Sequence, residues 1–209
     1  VMQRAFDILF SIIALLVFSP IFFICVFILK FTGEGEVFYK QERIGKDRKV
    51  FSLYKFATML KNSPKIGTGS ITLKNDPRVL PFGKVLRKTK FNELPQLLNI
   101  LFGDMSIIGP RPLTQETFNY YPERLKVIIS LVRPGLSGIG SIIFRSEEDI
   151  LGEASNAVDL YCDVIAPYKA LLEVWYVNRR KLSDYFVLML ATIWIVLFSQ
   201  SSLIWFLYS

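Results

Sequence analysis

Residues 8–29 read ILFSIIALLVFSPIFFICVFIL, a run of 22 residues without a charge. As a straight helix this run reaches roughly 33 Å at about 1.5 Å per residue, enough to cross the hydrocarbon of a bilayer. It is too long for the apolar region of a signal peptide, and no small-residue cleavage site follows it. Ser19-Pro20 stands at its centre. Proline there removes a backbone donor and crowds the preceding turn, while a serine hydroxyl beside the break can bond a freed carbonyl and hold a fixed bend. Two geometries fit: a kinked span, or a helix that enters, turns and leaves on the same side. The flanks, Arg4 with Asp7 and then Lys30, are weakly basic at both ends. That suits same-side ends but leaves both geometries open.

A second apolar segment follows Asp184 and is interrupted by Ser199-Gln200-Ser201-Ser202. Its first part, residues 185–198, is short for a span, so an interfacial or core helix is expected, with Trp194 and Trp205 suited to the head-group boundary. Arg179-Arg180-Lys181 would sit against anionic lipid heads. Between the two apolar segments, Val37-Phe38-Tyr39 and residues 50–54 flank Gly45-Lys46-Asp47-Arg48, which predicts a β-hairpin. Residues 61–76, rich in Gly, Ser, Thr, Lys and Asn, read as a loop, and residues 82–90 as a basic helix or extended turn. Asn92 reads as a helix N-cap, with Glu93 in the first turn, Pro95 early enough to be tolerated, and the helix stopping near Gly103. Pro122 opens another helix with Leu125, Ile128, Ile129 and Val132 on one face, until Arg133-Pro134-Gly135 breaks it. A long amphipathic helix runs from about Ala157 through Tyr161, Val164, Tyr168, Leu171, Leu172 and Trp175, with a bend expected at Pro167. The expected fold is α+β, mostly helical with a small β-hairpin, lying on a membrane. Residues 1–30 form its membrane helix, 31–184 its chemical domain and 185–209 its C-terminal hydrophobic segment.

Composition narrows the chemistry. The chain has 209 residues, one domain's worth, and 25 Lys+Arg against 18 Asp+Glu, a formal charge of +7. The excess is local: residues 40–90 hold 14 basic and 3 acidic side chains, net +11, and residues 91–209 hold 9 and 12, net −3. A basic block beside an apolar anchor suits anionic lipid heads or phosphate-bearing substrates. Nucleic acid is the rival partner, but no nucleic-acid-binding module is present and the anchor argues against it. There is no histidine. That excludes serine triads and zinc hydrolases, and leaves Asp, Glu, Lys, Tyr, Cys, Ser or Thr to act as acid, base or nucleophile. Cys25 and Cys162 lack metal-like spacing and are expected to be free.

The chemistry concentrates in Arg87-Lys88-Thr89-Lys90-Phe91-Asn92-Glu93-Leu94-Pro95-Gln96 and in residues 103–112, which end Gly109-Pro110-Arg111-Pro112. A helix start with arginine or lysine nearby is a natural seat for phosphate. Two prolines fix Arg111 on a stiff, narrow turn, as phosphate binding would require, though a structural ion pair is the plainer alternative.

This segment, from Lys88-Thr89 through Asn92-Glu93-Leu94-Pro95-Gln96-Leu97 to Gly103-Asp104-Met105-Ser106 and Gly109-Pro110-Arg111-Pro112, resembles the signature of the bacterial sugar transferases, the monotopic phosphoglycosyl transferases. Phe6-Asp7, Ser19-Pro20, Tyr54-Lys55-Phe56 with Thr58-Met59, and Arg133-Pro134-Gly135-Leu136-Ser137-Gly138 agree with it, in family order over nearly the whole chain. The small, single-domain members are the nearest type. The resemblance implies a re-entrant N-terminal helix bent at Ser19 and Pro20, and a place on the cytoplasmic face of the bacterial inner membrane. It implies transfer of a phosphosugar from a UDP-sugar to polyprenyl (undecaprenyl) phosphate, releasing UMP, with Mg2+ required. In the family an aspartate attacks the sugar-bearing phosphate to give a covalent intermediate, which the lipid phosphate then attacks. The glutamate of that Asp-Glu pair falls on Glu93, the expected metal and catalytic carboxylate. Lys55, Arg87, Pro110, Arg111, Pro112 and Arg145 are the expected substrate and phosphate contacts. Arg145, just before Glu147-Glu148-Asp149, fits an ion pair with those acids equally well, and Asp104 fits a plain turn acid. A homo-oligomer is left open, as is the identity of the sugar.

One position departs from the family pattern. Where the nucleophilic aspartate stands, this chain has Asn92, a neutral carboxamide and a poor nucleophile. Loss of a covalent nucleophile costs on the order of 10⁶ in rate, roughly 8 kcal/mol. Three accounts are open: turnover through Glu93, another carboxylate or direct lipid attack; a silent protein that retains binding; or a substitution introduced to trap substrate.

Overall fold

The computed structural model of the chain describes residues 2–63, 66, 76–154, 156–179 and 181–198. Helix α1, Met2–Phe31, runs unbroken through Pro20, and the Ser19 hydroxyl donates to the Leu16 carbonyl at 2.9 Å. Among the described residues α1 is the one helix long and apolar enough to cross a membrane. Leu16, Phe23 and Phe27 point outward from it, exposed. Both of its ends lie on the same body. Near the N-terminus Arg4 donates to the Ile100 and Leu101 carbonyls, and Asp7 accepts from Ser106 Oγ (3.0 Å), Ile107 N (2.9 Å) and Tyr185 Oη (3.0 Å). Near the C-terminus Cys25 and Leu29 pack with Phe56 and Leu86. Cys25 and Cys162 are free thiols.

The expected hairpin is present as β1, Phe38–Ile44, antiparallel to β2, Val50–Phe56, with Tyr39 opposite Lys55. Helix α2, Pro81–Lys88, follows, with proline at its first position, where a missing N–H costs nothing. Helix α3, Gln96–Phe102, ends at Gly103 in the left-handed region, as the sequence predicts. Asn99, fully buried on α3, accepts from Tyr54 N and donates to the Ser52 carbonyl and to Asp104, tying α3 to β2. Asp104 is therefore a turn acid with a structural partner.

Two short strands, β3, Ser106–Ile108, and β4, Gly135–Ser137, pair in parallel. Helices α4, Gln115–Asn119, and α5, Glu123–Ile129, lie between them in sequence; Leu125 and Ile129 are buried as expected, Ile128 is half-buried, and Val132 is buried beyond the helix, which ends at Ile129 short of Arg133. Helices α6, Ile139–Ile143, and α7, Glu147–Glu153, lead to α8, Ala157–Leu160, and α9, Ala166–Arg179, joined by a π-helical turn over Tyr161–Ile165. Helix α10, Leu182–Leu197, buries Tyr185, Leu188, Ala191 and Ile195 against β3, α6 and α9 and leaves Leu190, Ile193 and Trp194 exposed. It is core on one side and open on the other. Arg180, Ser199, Ser202 and Trp205 fall outside the described residues, as does most of the 61–76 loop.

The amphipathic helix differs from expectation. Val164, Tyr168, Leu171 and Trp175 are exposed, whereas Tyr161, Lys169, Glu173 and Tyr176 are buried. The π-helical turn explains part of this. Pro167 has no N–H to bond the carbonyl four residues back, and the chain widens by one residue just ahead of it, closing on Tyr161 O. Residues on either side of the turn no longer share one face. The rest follows from what α9 packs on: Ala166, Ala170 and Tyr176 meet the apolar clusters, while Lys169 faces the charged cleft and Glu173 the Arg111 turn from the same side of the helix.

Candidate active site

The hairpin, α2, the turn before α3, the loop after β3 and the α6–α9 segment enclose a cleft of about 1730 Å3. Lys55, Arg87, Asn92, Glu93, Arg111 and Arg145 all line it. These side chains are separated by up to 90 positions in the chain, and the fold brings them to one cavity. Pro110 and Pro112 do not line it; both are buried behind Arg111 and act as its frame. Ser19 and Pro20 lie on α1, outside the lining.

Asn92 is not a helix N-cap. After α2, Lys90 takes the left-handed region at φ 61°, and the chain enters a 3-10 turn over Phe91–Glu93. Successive short-range bonds then run Glu93 N to Lys90 O, Leu94 N to Phe91 O and Leu97 N to Leu94 O, each 3.1 Å. The backbone is already turned before Asn92, so no free helical amide is left for it to cap. A non-glycine residue at positive φ costs on the order of 1 kcal/mol. At Lys90 that conformation turns the chain so that Asn92 and Glu93 both line the cleft. Asn92 is 7% exposed and its buried Oδ1 has no hydrogen-bond partner. An unsatisfied acceptor of this kind calls for an explanation, and its place in the cleft lining makes Asn92 a candidate ligand contact.

Arg111 owes its position to backbone-on-backbone contact. The 106–112 and 133–138 segments cross so closely that a Cβ on Gly109 would meet Arg133 O at 2.7 Å, and one on Gly135 would meet Gly109 N at 2.1 Å. Gly109 N donates to Ser137 O (2.9 Å) and Gly135 N to Pro110 O (2.7 Å). On the far side of the turn, Arg43 Nη1 donates to the Pro112 carbonyl at 3.0 Å. The prolines, two glycines and this arginine fix the turn, and the Arg111 guanidinium stays accessible from the cleft.

The electrostatics are those of a cation cluster around one carboxylate. Desolvation holds the half-buried Lys55 amine down to about 7, with Glu93 pulling it up and Arg43, Arg111 and Arg87 pushing it down. Desolvation and the neighbouring Arg111 likewise bring Arg43 down to about 10. Arg111 is also partly desolvated, yet Glu93 and Glu147 hold it above the ordinary arginine value. Lys55 is thus brought close to losing its proton by burial and by the neighbouring cations, while Arg43 and Arg111 stay charged around the single carboxylate of Glu93, an arrangement suited to a polyanion.

The sequence pointed to only part of this lining. Arg43 was missed, although its alternation with Tyr39 and Gln41 along β1 marks the inward face. Glu147 and Lys169 also line the cleft and are bonded to each other, with Lys169 set over the Phe144 ring. Glu147 thus pairs with Lys169 where an ion pair with Arg145 was the expected alternative. No short motif announces Lys169 or the buried Glu173 beneath it. Phe10, Ala14 and Phe18 of α1 and Met189 and Ile193 of α10 extend the same cleft with an apolar lining.

Residues 1–199 match the family model described as bacterial sugar transferase. The chain is 38% identical over 159 residues to the exopolysaccharide production protein ExoY of Rhizobium meliloti (strain 1021), covering 69% of this chain and 70% of that protein. It is 37% identical over 143 residues to the UDP-N-acetylgalactosamine-undecaprenyl-phosphate N-acetylgalactosaminephosphotransferase of Aeromonas hydrophila, covering 68% and 34%. It is 32% identical over 179 residues to the UDP-glucose:undecaprenyl-phosphate glucose-1-phosphate transferase of Escherichia coli (strain K12), covering 84% and 37%. This chain spans only those fractions, about a third, of the two longer relatives. A match over residues 1–199, with relatives named as sugar-phosphate transferases, places the chain in the bacterial sugar transferase family.

Proposed function

We propose that this chain moves a phosphosugar from a UDP-sugar to undecaprenyl phosphate at the cytoplasmic face of the bacterial inner membrane, beginning the assembly of a glycoconjugate. A bond forms between an acceptor phosphate oxygen and the sugar-bearing phosphorus. The pyrophosphate P–O bond breaks and UMP leaves with the electron pair. The observation that carries this reading is the convergence of Lys55, Arg43 and Arg111 on Glu93 in one cleft, which suits a diphosphate. Arg111 offers two parallel donors to a phosphate, and Lys55 a point charge. The apolar lining from α1 and α10 suits the polyprenyl chain of the acceptor. We read α1 as re-entrant, since both of its ends rest on one body.

Mg2+ fits the residues at hand. Among the described residues no group of three acidic or sulfur ligands exists, so no all-protein cage is available. This ion commonly takes one or two carboxylates and completes its shell with phosphate oxygens and water, which leaves Glu93 as its protein ligand. Bound there, it would neutralise charge building on the diphosphate oxygens. Lys55 and Arg111 hold the same group from the protein side.

Asn92 favours a second reading, a chain that binds donor and lipid without turnover. The first reading leaves the nucleophilic work to Glu93 or to the lipid phosphate itself. Incubation with a panel of UDP-sugars, Mg2+ and undecaprenyl phosphate separates the two. UMP release by the chain as it stands supports the first. Release only after Asn92→Asp supports the second. No release by either protein from any donor counts against both.

A further inference from the structure

We propose that Glu173 is a positioning residue that holds Arg111 in register for the diphosphate. Glu173 lies on α9, is 1% exposed, and sits where the two crossing segments meet. Its Oε1 accepts from the Arg111 backbone N–H at 3.3 Å, and the Gly140 amide at the start of α6 donates to the same carboxylate. The fit is tight on both sides: a Cβ on Gly140 would meet Glu173 Oε1 at 2.4 Å, and one on Gly138 would lie 3.7 Å from Oε2. One carboxylate therefore joins α9, the start of α6 and the backbone of Gly109-Pro110-Arg111-Pro112. Its second oxygen, Oε2, is buried without a partner.

A half-satisfied buried carboxylate lowers stability and is a poor way to hold a helix in a core. Burial raises its pKa to about 7, against the opposing pull of the Arg111 amide, Lys169 and the Arg111 guanidinium, which is the electrostatic mark of that cost. The group is not solving a packing problem, because Lys169 one turn earlier is already bonded to Glu147. What Glu173 alone supplies is an acceptor for the one backbone amide whose position fixes where the Arg111 side chain begins. An arginine that binds phosphate through two parallel donors tolerates little displacement at its base.

This inference rests on the diphosphate reading of the cleft, and the experiment separates the two. UDP binding in the presence of Mg2+ is measured by calorimetry on the full chain in detergent, for wild type, Arg111→Ala, Glu173→Ala, Glu173→Gln, Gly140→Ala and the double variant Arg111→Ala/Glu173→Ala. Glu173→Ala is expected to weaken UDP binding about tenfold or more, the scale of a lost hydrogen bond to a charged group. Glu173→Gln, which keeps an acceptor oxygen, is expected to stay within about threefold of wild type. Gly140→Ala covers the case in which Glu173→Ala fails to fold. The new methyl would meet Glu173 Oε1 at 2.4 Å and Cδ at 3.2 Å, so the side chain is displaced from the Arg111 amide and binding weakens in the same way. In the Arg111→Ala background Glu173→Ala should add no further loss, because Glu173 acts through Arg111. Losses that multiply in the double variant overturn the proposal, as does unchanged UDP affinity in both Glu173→Ala and Gly140→Ala. If Arg111→Ala itself leaves UDP affinity unchanged, the diphosphate reading falls, and this inference with it.

Discussion

The two sides of the cleft carry similar charges and handle them differently. On the hairpin side, Lys55 and the Arg111 guanidinium have no ion-pair partner within bonding distance among the described residues, and Arg43 Nε is buried without an acceptor. On the α9 side, Lys169 is bonded to Glu147 and set over the Phe144 and Tyr161 rings, while Glu173 binds backbone amides. The first set is left with charge to spend on a ligand. The second directs its charge to contacts within the protein, Glu173 Oε2 excepted, and holds the first in place. Charge alone therefore does not identify a binding residue here; what distinguishes it is whether the protein has already paired it.

That contrast predicts different losses on the two sides. Arg111→Ala should lower kcat/KM for the UDP-sugar by about 10²–10³, the scale of two lost charge-assisted bonds, with thermal stability nearly unchanged. The test is initial UMP-release rates beside a melting curve, and a large drop in melting temperature would place Arg111 with the scaffold. Lys169→Met should do the reverse. It leaves the partly exposed Glu147 without its partner, at a cost of about 2 kcal/mol. For a chain of this size that lowers the melting temperature by roughly 4–8 °C.

Lys55 gives a pH signature intermediate in size. Its folded pKa of about 7 lies below the ordinary lysine value, so the amine is charged below pH 7 and neutral above it. Affinity for UDP should therefore fall as pH rises through about 7, by at most about tenfold per unit, and the fall should flatten in Lys55→Met. A flat wild-type profile between pH 6 and 8.5 would remove Lys55 from the diphosphate site. The smallest effect is expected on the outer face of α9. Leu171 is 52% exposed, so Leu171→Ser should change stability by no more than about 0.5 kcal/mol and leave UMP release in detergent unaltered. If that face rests on lipid, the same change should reduce retention on anionic vesicles in a flotation assay.

Much of the local structure was legible. The hairpin announced itself through β-rich runs around Gly45-Lys46-Asp47-Arg48, and Gly103 ended α3 where a glycine in the left-handed region does so most easily. The Gly109-Pro110-Arg111-Pro112 turn was legible because prolines constrain the chain whatever surrounds it. Asn92 was misread as a cap because capping depends on which residue still has free helical amides, and the 3-10 turn from Lys90 used them first. Helix α9 was misread because periodicity assigns apolar residues to the interior, while its buried side also carries Lys169 to the cleft and Glu173 to the Arg111 turn, and the π-helical turn shifts the face ahead of it. Arg43 shares the inward register of β1 with Tyr39 and Gln41, a signal that alternation does carry, whereas Lys169 and Glu173 are recruited by tertiary contact with residues 22 and 62 positions away, which no local spacing encodes.

In the proposed reaction a diphosphate is held between Lys55 and Arg111. Calorimetric titration of UDP with Mg2+ into wild type, Lys55→Met and Arg111→Ala tests this without requiring turnover, so Asn92 does not confuse the result. Saturable binding by wild type, weakened at least about tenfold in each variant, is the predicted outcome. Equal affinity in all three proteins would contradict it.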